Sequence, residues 1–323
     1  MKNMKTVTVR TLLFGLAIAV AIALGTQTAS AASPNLFASV ALDGTVVNGN
    51  GVSSVTHIGG GRYEVTFTTD VSGCAYVSTT RNAFSQAIQS YTAGGHLSTS
   101  GVYVEVKNQG GGLLDGPFDL AVACGLAGWD YAVVDYSANL VRSTPGATLT
   151  HLGLGRYDVT FTNVVSGCAF LATVGDPANA LVFNPSGVYT GTGPNTKTVY
   201  IETKNPGGGL TDGIPFHLAV VCGSAAKAKV LVVNATGLAG RGSSLTSAFS
   251  SSTGNYILDT NLSLSACTVI GTRGSINTAV PFTPATVEIT PGLAPNTTGI
   301  QVRDLLFFGG GLINQAFHAA AIC

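Results

Sequence analysis

One fifteen-residue phrase constrains this chain more than any other feature, because it occurs twice. Gly61-Arg62-Tyr63-Glu64-Val65-Thr66-Phe67-Thr68-Thr69-Asp70-Val71-Ser72-Gly73-Cys74-Ala75 returns as Gly155-Arg156-Tyr157-Asp158-Val159-Thr160-Phe161-Thr162-Asn163-Val164-Val165-Ser166-Gly167-Cys168-Ala169. A worn third copy, Gly254-Asn255-Tyr256-Ile257-Leu258-Asp259, leads on to Cys267. Tyr and Cys are eleven positions apart in all three. The chain reads as one module written three times.

Each copy carries the same strand signals. Tyr63, Val65 and Phe67 alternate with polar residues, the period of a half-buried strand whose threonines face water. Gly59-Gly60-Gly61 supplies the positive φ of a hairpin. Phe118, Leu120, Val122 and Cys124 share one face of a closing strand, repeated as Phe216 to Cys222 and Phe317 to Cys323. Each copy holds about seven short strands with no helical period. The expected fold is therefore all-β: three tandem disulfide-closed β-sandwich modules, Ig-like in architecture only. The boundaries are 32-125, 126-223 and a divergent 224-323. Tight linkers at Gly125–Asp130 and Gly223–Lys229 predict a rod or bent string of three beads.

The leader sets the compartment. Lys2, Lys5 and Arg10 precede the apolar run Leu12 to Leu24, and Ala29-Ser30-Ala31 is a cleavage signal, so residues 1-31 read as a secretory signal peptide. Its removal leaves twelve basic against fifteen acidic residues, a net charge of −3. With no basic patch, nucleic acid is not an expected partner. No second apolar run is long enough to span a bilayer, so the mature chain is expected to carry no membrane span. Its C-terminal end shows no sorting motif, which predicts a secreted, unanchored protein.

Six cysteines in an exported chain read as disulfides. A copied module must carry its own cross-link, which pairs Cys74 with Cys124, Cys168 with Cys222, and Cys267 with Cys323. Closing loops of this length stabilises each module by roughly 4 kcal/mol at best.

Val71-Ser72-Gly73-Cys74-Ala75 and Pro215-Phe216-His217-Leu218-Ala219-Val220 resemble repeats of uncharacterised secreted bacterial proteins, with Ser265-Ala266-Cys267-Thr268 departing from the pattern. The resemblance implies a bacterial, exported setting and carries no activity.

Chemistry is sparse. His57 and His151 are repeat-equivalent, as are His217 and His318, with Asp119 in the first copy. All are expected at solvated edges or sheet faces, a module apart, so no metal site is expected. Asp115 and Asp212 suit Asp-Gly turns better than a calcium loop, which needs six or more oxygens. Glu105 with Lys107, and Glu202 with Lys204, read as surface charge compensation. No nucleophile elbow, phosphate loop or zinc-protease helix motif is present, so no catalytic residue, enzyme activity or cofactor is expected.

Trp129, Tyr131 and Tyr136 are the candidate binding residues, able to stack on sugar or peptide, with packing in the strand or junction as the favoured alternative. Thr79–Ser100, Val174–Lys197 and Thr272–Thr298 vary between copies and are expected as loops, where a binding role would reside. The preferred function is a non-enzymatic structural or adhesive protein of the bacterial cell surface or extracellular matrix. Its partners would be itself, other surface or matrix components, or glycans, with self-assembly as one form. The alternative is a glycan- or protein-binding module using the variable loops; a secreted enzyme comes third.

Overall fold

The period-two alternation of the repeated phrase does build strands, and the pairing between them extends well beyond each copy. The computed structural model describes residues 35–81, 87–125, 129–179, 186–223, 228–234, 239–242, 245–260, 263–276, 285–291, 297–304 and 311–323. The chain divides into two compact units, Met1–Ala31 and Ala32–Cys323. Everything described lies in the second; the leader and parts of both linkers fall outside the described residues.

Twenty-four strands are described, and among the described residues there is no helix. The first eight are β1 (Leu36–Val40), β2 (Val46–Asn50), β3 (Val52–Gly59), β4 (Arg62–Phe67), β5 (Ala75–Arg81), β6 (Ile88–Gly94), β7 (Gly101–Asn108) and β8 (Phe118–Ala123). The next eight are β9 (Trp129–Val134), β10 (Leu140–Ser143), β11 (Thr148–Gly153), β12 (Arg156–Thr160), β13 (Ala169–Asp176), β14 (Gly187–Thr192), β15 (Thr198–Lys204) and β16 (Phe216–Val221). The last are β17 (Ala228–Val233), β18 (Ala239–Gly242), β19 (Leu245–Ser252), β20 (Asn255–Thr260), β21 (Thr268–Arg273), β22 (Ala285–Pro291), β23 (Thr297–Asp304) and β24 (Phe317–Ile322).

Each run of eight supplies two antiparallel sets of four, in the same order. The first run gives β2-β1-β8-β5 and β3-β4-β7-β6. A hydrophobic cluster draws on both sets: Tyr63, Val65 and Phe67 from β4 meet Phe118, Leu120 and Val122 from β8. Comparable clusters sit in the second and third runs. The three expected disulfides are present, Cys74–Cys124, Cys168–Cys222 and Cys267–Cys323.

A fourth cluster corrects the string of beads. Ala75, Val77, Ala169, Leu171, Ala219, Ile270 and Ala320, with others, pack together from all three runs. β5, β13 and β21 each alternate, one face turned to the run's own core and the other to this central cluster. Short parallel pairings close the runs on one another. β13 pairs with β6 at Gly175–Thr92, β22 pairs with β5 at Ile289–Arg81, and Thr190 bridges to Gly274. The second run thus sits on the first, the third on the second, and the first on the third.

β6, β14 and β22 fall inside the segments expected as variable loops, which makes eight strands per run rather than seven. They are also the strands that carry the seams. The parallel pairs need close approach. At Gly175 a Cβ would lie 2.4 Å from Thr92 Oγ1, and at Gly274 it would lie 2.3 Å from Thr190 Oγ1.

Candidate functional site

Three threonines organise the centre of the ring. Thr79, Thr173 and Thr272 occupy the same place in β5, β13 and β21. Each reaches across a seam and is used twice, accepting from a backbone N–H and donating to the carbonyl of the same residue. Ser78 N–H donates to Thr173 Oγ1 at 2.8 Å, and that hydroxyl donates back to Ser78 O at 3.2 Å. Ala172 and Thr272 repeat the exchange at 2.8 and 3.1 Å, and Gly271 and Thr79 at 2.8 and 2.9 Å. A β-branched Thr suits this duty, since one rotamer presents the hydroxyl and the strand fixes it. Each net bond contributes about 1 kcal/mol, but leaving the buried N–H without a partner costs about 1–3 kcal/mol.

His217 and His318 tie the same seams, and their burial corrects the solvated placement expected for them. Both are 0% exposed. Tyr76 N–H donates to His217 Nδ1 at 3.0 Å, and His217 Nε2 donates to Asp176 O at 3.3 Å. Phe170 N–H and Ser275 O hold His318 in the same way, at 3.0 and 3.2 Å. Burial drives the His217 pKa down to about 3, so its imidazole is neutral. The closing seam uses different chemistry. Asp119, also 0% exposed, accepts from Ser39 Oγ at 2.5 Å and from Arg81 Nε at 3.0 Å. Ser39 in turn meets Thr268 Oγ1 across that seam at 3.2 Å. Where the seam residue is an imidazole, the facing strand has Gly175 or Gly274; where it is the shorter Asp119, Arg81 fills the space.

A cavity of about 70 Å³ opens beside the threonine layer. All three runs line it, through the end of one strand and the start of the next: Ser78–Thr80 with Gln89–Tyr91, Ala172–Val174 with Ser186–Val188, and Gly271–Arg273 with Ala285–Val287. Those strand ends flank the connections 82–86, 180–185 and 277–284, which lie outside the described residues. The described parts of the three variable segments therefore converge on one place.

The cavity walls differ from run to run. Besides the layer threonines, the first run contributes Ser78, Thr80, Gln89 and Ser90; the second contributes Ala172, Val174 and Val188 along with Ser186. Ser78 Oγ donates to Ser90 Oγ at 2.8 Å, and Tyr91 OH donates to Gln89 Oε1 at 2.5 Å. Arg273 is the charged residue of the lining. Its guanidinium donates to Gln315 Oε1 and lies over the Tyr189 ring at 5.5 Å. No carboxylate, imidazole or thiol stands among the lining residues, so the cavity can hold a ligand by hydroxyl and amide contacts but lines up no nucleophile with a base.

The sequence candidates are placed as follows. Trp129 is 3% exposed and packs in the central cluster, and its Nε1 meets no acceptor. Tyr131 is half-buried, its OH donating to Gly73 O at 3.0 Å. Tyr136 is 43% exposed. The structure brings none of the three to the cavity.

His57 and Asp115 meet at 2.8 Å, with His57 stacked on Tyr63; His151 and Asp212 meet at 2.9 Å, with His151 stacked on Tyr157. Asp115 also accepts from Gly61 N–H, which holds its carboxyl below the usual range. These Asp residues pin the glycine hairpin and carry no ligand set.

The Glu–Lys pairs are buried, not superficial. Glu105 and Lys107 are 3% and 5% exposed with their charges 2.8 Å apart, and Lys107 lies over the Tyr91 ring. Glu202, Lys204 and Tyr189 repeat this. In the third run Arg303 instead meets Glu288 at 3.1 Å. Glu288 also accepts from Ile88 N–H across the closing seam, and burial pushes its carboxyl up to about 7.

Among the described residues no group of three or more His, Cys, Asp or Glu converges on a metal position, and no helix is long and apolar enough to cross a membrane. No protein-family model, no curated protein and no solved structure matches this chain.

Proposed function

We propose that this chain is an exported, non-enzymatic binding protein of adhesive type, acting at the bacterial cell surface or in the surrounding matrix. In this reading residues 1-31 are a cleaved signal peptide. The three runs are β-sandwich modules, 32-125, 126-223 and 224-323, closed into a ring rather than strung as beads. Three disulfides suit an oxidising, extracellular setting.

The observation that carries the reading is the meeting of the three variable segments at one cavity. Varied segments on a kept scaffold are where recognition concentrates, and three of them at one mouth form a single composite face. Trp129 has no part in it, because its ring is enclosed.

The test is adhesion. Labelled mature protein is applied to arrays of extracellular glycans and matrix proteins, alongside a Gln89→Arg variant at the cavity rim. Binding that the rim variant abolishes at unchanged melting temperature supports the reading. Binding indifferent to the rim, or no binding to any surface, contradicts it.

A second reading, structural self-assembly, is favoured by the exposed apolar side chains Ile58, Leu152 and Leu154 at two hairpin tips, 48%, 50% and 60% exposed. Filaments or concentration-dependent oligomers in sedimentation, lost in Leu154→Lys, would select it; a monomer at all concentrations would remove it.

A further inference from the structure

We infer that the axial cavity binds one uncharged, hydroxylated ring, a single pyranose unit of a glycan, in one orientation. This rests on the binding-protein reading above and narrows its ligand.

Size comes first. A cavity of about 70 Å³ has room for roughly five ordered waters. That suits one sugar ring or a fragment of that size, not an extended chain.

The wall chemistry comes second. The first run presents hydroxyls and an amide, chiefly Gln89 and Ser90, both half-buried and so reachable from solvent. Ser90 Oγ already accepts from Ser78, which leaves its own proton to offer. Gln89 Oε1 already accepts from Tyr91, which leaves its amide N–H groups to offer. The second run presents Val174 and Val188 to the same space, beside Thr173 and Ser186. A pyranose matches this division, with its hydroxyl edge against the donors and its C–H face against the valines. The lining is polar for the most part, with the valines as its apolar side, which suits a ligand that carries many hydroxyls.

Asymmetry comes third. The threonine layer is identical in the three runs, yet the layer above it is Ser78, Ala172 and Gly271 at one level and Ser90, Val188 and Val287 at another. A symmetric partner would need like walls; unlike walls hold one unsymmetrical molecule. The charge on Arg273 is turned to Gln315 and the Tyr189 ring, so the walls favour a neutral sugar over a sugar acid.

The experiment is calorimetric titration of the mature protein with methyl pyranosides in three classes: neutral hexoses, N-acetylhexosamines and uronates. At least one neutral class should bind at one molecule per chain. Gln89→Ala should weaken it about tenfold, the loss of one good hydrogen-bonded contact. Ser90→Phe, which fills the mouth, should abolish it.

Three molecules per chain, or affinity unchanged in both variants, would overturn the inference. Uronates binding in place of neutral sugars would overturn the assignment of charge. If rim-dependent adhesion persists while no pyranoside binds, the pyranose inference fails and the binding-protein reading stands. If rim-dependent adhesion is absent as well, both fail.

Discussion

The threonine layer and the cavity wall are adjacent levels of the same three strands, yet they differ in kind. Thr79, Thr173 and Thr272 are one residue used three times, each satisfying a backbone donor and acceptor across a seam. One level outward the three strands present Thr80, Val174 and Arg273. A position whose hydrogen bonds close the ring tolerates little change, because loss strands a buried N–H. Thr80 and Val174 make their contacts within their own runs or at the cavity, Thr80 with Ile88 O and Val174 in the second run's core, so no seam bond fixes their identity. The comparison separates residues that make the architecture from residues available to recognise something.

The largest effect should come from an architectural residue that the sequence also offered as a binding candidate. Trp129→Ala removes a buried indole from the central cluster and should cost about 3–5 kcal/mol in chemical denaturation. Trp129→Phe should stay within about 1 kcal/mol, since the lost Nε1–H had no acceptor. A Trp129→Ala chain of unchanged stability and altered binding would move Trp129 to the other side of the comparison.

Next in size is the pH response of the seams. The His217 imidazole titrates near 6.5 when unfolded and near 3 when folded. Between those values the unfolded chain binds more protons, so this contribution is full above 6.5 and is lost as pH falls towards 3. Glu288 works in the opposite sense. Its carboxyl is raised by burial from 4.5 to about 7, so its contribution is full below 4.5 and is lost as pH rises through 7. From pH 4.5 to 6.5 the two slopes oppose, each at most about 1.4 kcal/mol per pH unit. Glu288→Gln removes one of them. Relative to the parent, the variant should lose up to about 2.7 kcal/mol on acidification across that window. Parallel stability profiles would contradict the buried placement of Glu288.

Thr173→Val should cost about 1–3 kcal/mol, because Ser78 N–H loses its acceptor. At the cavity wall, Ser90→Ala and Gln89→Ala each remove one part-buried side-chain hydrogen bond and should cost about 0.5–1 kcal/mol, less than the loss at Thr173. Equal losses at both levels would erase the distinction.

Much of this was legible in the chain. The Tyr-to-Cys spacing marked the disulfide partners, and the alternation of Tyr63, Val65 and Phe67 placed β4 with its large residues inward. The ring was not read, for two physical reasons. β6 and β14 are rich in Thr, Ser and Gly, β22 carries Glu288 and a terminal Pro291, and in the closing seam the partner strand lies far away in sequence, as Ile289 meets Arg81. Local pattern carries no trace of such a partner. The closing strands did carry a signal. Phe118–Ala123, Phe216–Val221 and Phe317–Ile322 are near-continuous apolar runs, the mark of strands covered on both faces. His217 and His318 within those runs lie on the inter-run face for the same reason. Glu64 shows the converse. Alternation turned it away from the core, but the chain at His96 and Leu97 covers it and donates two N–H groups to its carboxylate.

The claim beneath all of this is that three runs close on one axis instead of trailing in line. Small-angle X-ray scattering of mature protein in dilute solution measures that directly. A single closed body of residues 32–323 should give a radius of gyration of about 19 Å. A value of about 30 Å, the figure for three separate domains of this size in a row, would contradict the ring and the shared face with it.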